Sequence, residues 1–336
     1  MKPERAGPVE VAPDLWQLTL PILRHSLGGA NAFLIRDRDG YALVDCGADV
    51  VECWDALARQ LADLQVPFGA LHTIVLTHWH PDHSGQANRV REQSQAHVLL
   101  HQSDAAYLGC ADLGDVARRR QLAAWLARYG FPEEEIVALV EAVSAPDRRA
   151  EAIRPDRVVA GGEVLALGRY RLEVLWTPGH TPGHICLYDP RQRVLLCGDH
   201  ILEVVAPNVG LHPFTDGNPL PAYLDSLHDL ASRDIALTLP GHGQPIIRLA
   251  DTTAELVRRQ RDRRAQVLSL LTAAPQSAYE LASQVWAQRG RRNWNQLHGQ
   301  LRRNAVGTVA AHLELLAEGG DIARSEDGVV TFRRRG

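Results

Sequence analysis

The chain has 336 residues, 45% of them hydrophobic and 23% charged, with a formal charge of −4 at neutral pH. That composition excludes a disordered, collagen-like or coiled-coil chain and allows a large core; at roughly 150 residues per domain it predicts about two domains. The near-neutral total is unevenly spread. Residues 255–336 hold 14 Arg against 8 acidic residues, a balance of +6, which leaves −10 for the rest and makes an anionic partner for the tail a candidate.

The first residues, MKPERAGPVEVAPDLWQ, lack the apolar core of a signal peptide, and no apolar run of about 18 residues follows anywhere, so a cytoplasmic protein with no membrane contact is expected. Cys46, Cys53, Cys110, Cys186 and Cys197 form an odd set without a CxxC pair and read as reduced, buried thiols. Residues 14–46 read as a strand meander, with a turn at RDRDG. Val51, Trp54, Leu57, Leu61 and Leu64 then share one helical face. A buried strand HTIVLTH (72–78) ends in a polar cluster. A helix over about 85–92 and a strand HVLLH (97–101) continue an α/β alternation.

From 103 to about 155 the rhythm breaks into an Ala-, Arg- and Glu-rich helical insertion. Its Trp125, Tyr129 and Phe131 are expected either to wall or cover the pocket, offering an apolar surface to an acyl chain, or to serve ordinary helix packing. Strands resume over 158–177, 185–189 and 193–199, then come a helix over 219–232 and a strand over 236–243. After 250 the pattern is three helices, the first with Thr252 or Thr253 as N-cap, followed by a hairpin turning at Glu326-Asp327-Gly328. That order predicts a winged-helix-like domain over 255–336 behind a catalytic domain over 1–254.

The strongest chemical signal is THWHPDHSG (77–85), which places His78, His80, Asp82 and His83 within six residues at the end of a buried strand. Imidazole and carboxylate are a ligand set for borderline divalent ions. Three more loops each present one such residue where an apolar run stops: His180 in TPGHTPGH, Asp199 in LLCGDH and His242 in LPGHG. Four clusters placed alike predict a dinuclear metal site.

HxHxDH, with Asp45 in VDCGAD upstream and GHT, GD and PGH in order downstream, resembles the metallo-β-lactamase superfamily. The resemblance implies an αββα sandwich with a two-metal cleft at one edge. It implies that His78, His80 and His180 bind one ion and that Asp82, His83 and His242 bind the other. Asp199 would bridge both ions, and Asp45 would support the cluster by hydrogen bonding. His184 and His200 are left out of the direct ligands, and His184 is expected to orient one of them. The implied cofactors are two divalent ions, zinc by default, with iron or manganese also accepted by such ligands. Hydroxide held between them would attack an electrophilic carbon or phosphorus, and Asp82 would orient it and relay its proton.

The missing signal peptide argues against a true β-lactamase. A tyrosine that glutathione-binding thioesterases of the family place after the last ligand histidine is absent, since Gly243, Gln244 and Pro245 follow His242. The lactonase branch carries a tyrosine where this chain has Leu202. A small-molecule ester or thioester is therefore the first expectation. A single-strand-specific endoribonuclease of the lactamase-like-2 type, or a lactonase, comes next, and a winged-helix nucleic-acid-binding regulator is the non-enzymatic alternative. Nucleic acid is a candidate partner through the basic tail, and a homodimer is allowed.

Overall fold

The computed structural model describes residues 7–22, 29–109, 115–144, 153–203, 205–215, 217–288 and 293–335. Cys110 and parts of the expected insertion lie outside them. The chain divides into two compact units: Met1–Leu108, Arg148–Pro207 and Asp229–Thr253 form one, and Gly109–Asp147, Asn208–His228 and Ala254–Gly336 form the other.

The first unit holds two sheets. The larger orders β1 (Val9–Ala12), β2 (Leu15–Pro21), β3 (Gly29–Asp37), β4 (Gly40–Val44), β5 (Leu71–Val75), β6 (His97–His101) and β7 (Arg157–Val159) side by side. The smaller runs β12 (Leu237–Pro240), β11 (Val194–Gly198), β10 (Ile185–Asp189), β9 (Tyr170–Trp176) and β8 (Val164–Leu167). Phe33, Ile35, Val44 and Val75 from the first sheet share one core with Leu172, Val174, Leu187 and Leu196 from the second, so the two pack face to face. The opposite face of the larger sheet contributes Leu18, Leu34, Leu43, Ile74 and Val98 to a core with α1 (Val51–Asp63) and α3 (Ala87–Ser94). Helix α1 forms there because Cys53, Ala56, Leu57 and Leu61 recur at helical spacing and are all buried.

This topology gathers loops. β4 runs parallel to β5, and β11 runs parallel to β12, so the turns after Val44, Val75, Gly198 and Pro240 leave from strand C-termini. Backbone hydrogen bonds then tie them together: Cys46 N–H to His83 O at 2.7 Å, Ile185 N–H to Thr77 O at 2.9 Å, and Gly241 N–H to Gly198 O at 2.7 Å. The mixed α/β sandwich expected from the sequence is present, with strands and helices within a few residues of their expected bounds.

The second unit contains α5 (Asp115–Arg128), α6 (Glu133–Ser144), part of α7 (Pro219–Ala231) and of α8 (Leu249–Leu270), β13 (Gln276–Ser277), α9 (Ala278–Ala287), α10 (Gly299–Glu318), β14 (Ile322–Asp327) and β15 (Val329–Arg334). Ser277 and Glu280 form a reciprocal capping box that starts α9. Gly328, at φ +71, turns the β14–β15 hairpin. Two sequence expectations need correction here. Helix α8 begins at Leu249, so Thr252 and Thr253 are not N-caps; their hydroxyls donate to Arg248 O and Leu249 O, one turn back. The insertion groups with the tail and not with the sandwich. The reason is the core of this unit, where Leu122, Trp125, Leu126, Tyr129 and Phe131 are buried with Val267, Leu281, Val309 and Phe332. Of the two roles the sequence allows those aromatic rings, ordinary packing is the one seen here.

The middle of helix α10 is covered within the same unit. Leu211 N–H donates to Gly307 O at 3.0 Å, Asn218 Nδ2 donates to Ala311 O at 2.7 Å, and every residue from Val306 to Leu316 is buried or half-buried. Among the described residues no helix is long and apolar enough to cross a membrane. Leu126→Ala, at a fully buried position, is expected to lower the unfolding free energy by about 2–5 kcal/mol, as measured by denaturant titration.

Candidate metal centre

The histidine-rich turn is built by its own sequence. β5 stops at Val75, His78 and His80 follow in non-helical backbone, and Pro81 opens the one-turn helix α2 (Pro81–Ser84) at a position where its missing N–H is not needed. The Ser84 hydroxyl closes the turn by bonding Trp79 O at 2.8 Å and His80 O at 3.0 Å.

The structure brings together all seven residues expected as ligands. His78, His80 and His180 each offer a ring nitrogen, with all three nitrogens within 4.8 Å of one another; the same holds for His78, His83 and Asp199, and for Asp82, His83 and His242. His78 Nε2 lies 3.1 Å from His80 Nδ1. Asp199 reaches both sides, with Oδ2 at 3.5 Å from His180 Nε2 and 3.4 Å from His242 Nε2, and Oδ1 at 3.4 Å from His83 Nε2. Asp82 Oδ2 is 3.4 Å from His242 Nε2 and 3.8 Å from His83 Nε2.

Proton accounting decides which ring atoms face inward. Asp45 is buried at φ +58, a left-handed conformation that Asp tolerates better than most residues. Its carboxylate accepts from Thr77 N–H, from the Thr77 hydroxyl and from His83 Nδ1, each at 2.8 Å. Since the Thr77 proton goes to Asp45, Thr77 Oγ1 must accept from His78 Nδ1, 3.0 Å away. His242 Nδ1 donates to Gly29 O at 2.7 Å. The Nδ1 protons of His78, His83 and His242 are thus committed outward, and their Nε2 lone pairs point into the cluster.

That arrangement fits cations. The Nε2 atoms of His83 and His242 stand 3.3 Å apart, lone pair toward lone pair, beside two carboxylates. Burial and the neighbouring His83, His80 and His180 push His78 well below the usual imidazole range, and burial with His180 takes His80 down to about 3. Those rings stay neutral, as ligands must. On the other side burial opposes charge, yet Asp199 and Asp45 raise His83, and Asp199 and Asp82 raise His242 to about 9. Positive charge is favoured between those rings and the carboxylates, and a divalent cation supplies it.

His184 is no ligand in this geometry. Its Nε2 accepts the Asp199 backbone N–H at 3.1 Å, and its Nδ1 lies 2.9 Å from Thr177 Oγ1, so it holds Asp199 from behind, as expected of an orienting residue. Gly198 allows this approach, because a Cβ there would fall 2.7 Å from His184 Nε2. His200 is buried with its ring 5.6 Å from that of His184. Sequence reasoning missed Thr77, Asn31 and Asp104. Asn31 left one signal, a polar residue inside the otherwise apolar strand GANAFLI. Asp104 left none, since its partners are remote in sequence.

Against this geometry, a family model described as the metallo-beta-lactamase superfamily matches residues 25–242, more than half of the chain. The chain belongs to the metallo-beta-lactamase superfamily and is a metal-dependent hydrolase. It is similar to a metallo-beta-lactamase family protein of Thermus thermophilus, at 31% identity and a TM-score of 0.80, covering 97% of this chain and 100% of that one. A probable metallo-hydrolase of Bacillus subtilis, YqjP, is 26% identical over 78% of this chain and 82% of its own length. Acyl-coenzyme A thioesterase MBLAC2 of Gallus gallus is 28% identical over 63% of this chain and 72% of its own length.

Asp45→Asn would place an amide donor against His83 Nδ1 and favour the tautomer with its proton on Nε2. The variant is expected to bind metal about 10–100-fold more weakly at the His83 side, checked by zinc titration against a chromophoric chelator.

Proposed function

We propose that this protein hydrolyses a small-molecule ester or thioester at a dinuclear metal centre. The observation that carries the proposal is the pair of adjoining ligand sets, one of three imidazoles and one with two rings and a carboxylate, joined by Asp199. His78, His80 and His180 would hold one cation, Asp82, His83 and His242 the other, and Asp199 would contact both. Two divalent cations, zinc by default, would supply Lewis acidity toward a carbonyl oxygen and bring the ionisation of water near neutrality.

The chain's own residues supply the rest. Burial works to raise the Asp82 carboxyl, but His242 and His83 beside it hold it far below the usual carboxylate range. It stays an acceptor, fit to orient an attacking water and pass its proton toward the departing alcohol or thiol. Asp82 is also the more accessible of the two carboxylates, with 26% of its side chain exposed against 9% for Asp199. Asp199 stays ionised because His83 and His242 lower it against burial, and His184 fixes its backbone.

The thioester preference draws support from the relative named as an acyl-coenzyme A thioesterase and from one named thioesterase pkgB. We read the tail's helices and three-stranded sheet as a winged-helix module, and its role as structural, because α10 offers no open middle turn to a nucleic acid. Several tail arginines are also paired: Arg258 and Arg259 with Glu255, and Arg324 with Glu314 and Glu326.

A panel of acyl-thioesters, esters, lactones, phosphodiesters and single-stranded RNA tests the substrate class. Turnover is expected on thioesters or esters, to vanish on chelation, to return with zinc and to be lost by at least about 10³-fold in Asp199→Ala. Turnover confined to phosphodiesters or RNA overturns the proposal.

A further inference from the structure

Two buried polar side chains beside the centre are neither ligands nor partners of a ligand ring. Asp104 sits at the start of α4 (Gln102–Gly109), directly after β6, and is fully buried. Its Oδ2 accepts from Trp79 N–H at 3.0 Å and from the Thr181 hydroxyl at 2.9 Å, and its Oδ1 accepts from Gly183 N–H at 2.6 Å. Trp79 lies between His78 and His80, and Thr181 and Gly183 follow His180. One carboxylate therefore ties together the two loops that carry the three-histidine set. The contact is tight: a Cβ on Gly183 would fall 2.4 Å from Asp104 N and 2.8 Å from its Cγ.

Asn31 stands on the other side of the cluster, 2% exposed on β3. Its backbone N–H donates to Gly241 O at 2.7 Å, and its amide donates to Pro240 O and Gly243 O, both at 2.9 Å. The amide oxygen accepts from Gln17 Nε2 at 3.0 Å and from the Thr19 hydroxyl at 3.2 Å, so all of its partners agree on one orientation. The three carbonyls it holds surround His242 in sequence. Gly29, whose carbonyl takes the His242 Nδ1 proton, is on the same strand. β3 thus fixes both the backbone and the ring of this ligand.

Resting on the metal-centre reading above, we infer that Asp104 and Asn31 are separate positioning residues for the two halves of the centre: Asp104 for the His78–His80–His180 pocket and Asn31 for the His242 side. Burying a carboxylate or an amide is costly unless every bond is made, and each residue makes its bonds to the loops of one half. Either residue matters through geometry and not through charge at the cation, because neither lies among the ligand atoms.

Isosteric reversals test this in the full chain. Asp104→Asn puts a donor where only donors point, and Asn31→Asp puts an acceptor against two carbonyls. Thr181→Val removes one donor to Asp104, and Asn31→Ala removes the amide, should either reversal fail to fold. Metal-free proteins are first compared by thermal melting. Zinc is then titrated against a chromophoric chelator to give two dissociation constants, and cobalt(II) absorption assigns each constant to a pocket. Each variant is expected to lower the metal-free melting temperature, to weaken one constant by about 10–100-fold and to leave the other unchanged, with the weakened constant differing between the two residues. Two wild-type constants in the variants, or equal loss of both, overturns the inference while leaving the metal centre standing. A wild-type chain that binds no divalent metal overturns the metal-centre reading together with this inference.

Discussion

The centre depends on where one proton goes. Asp45 takes the Thr77 hydroxyl proton, which obliges Thr77 to accept from His78; the same carboxylate takes the His83 Nδ1 proton. A single buried carboxylate therefore selects the tautomer of one ring in the His78–His80–His180 cluster and one in the Asp82–His83–His242 cluster. Without it both rings could turn their lone pairs elsewhere, and the loops would present nitrogen atoms without presenting a binding site. The left-handed backbone at Asp45 is the local cost of aiming this side chain back beneath Thr77.

The cluster also opposes folding in the absence of cations. Imidazole rings crowd within 3.1–3.3 Å of each other, and two carboxylates are drawn out of water. The sandwich holds them through parallel strand pairs whose ends are cross-linked by backbone bonds, and through buried polar side chains that anchor the loops. Metal binding should relieve the conflict and stabilise the folded chain.

The second unit shows a different use of sequence. Its insertion and tail are far apart in the chain, yet they share one apolar core, and the middle of the helix that a winged-helix module would offer to nucleic acid is covered by residues of the same unit. The positive balance of the tail is partly spread over ion pairs along α8 and the terminal hairpin. Exposed pairs of this kind contribute little stability and mainly keep a helix face solvated.

The residues of the candidate metal cluster were legible in the chain because each one sits where an apolar run stops, and four such stops with the same residue types rarely coincide without a shared purpose. The sandwich was legible for a related reason, since strand and helix periods are local properties. Asp104 and Asn31 were not legible, nor was the true grouping of Trp125, Tyr129 and Phe131. A buried acid gains meaning only from the N–H groups it meets, and those of Trp79 and Gly183 arrive from loops distant in sequence. An aromatic face reads the same whether it lines a pocket or fills a core. By itself the sequence determined which atoms can bind a cation; the tertiary structure decided which lone pairs face inward, because hydrogen bonds to Asp45, Thr77 and Gly29 assign the protons, and those bonds exist only once the strands have packed.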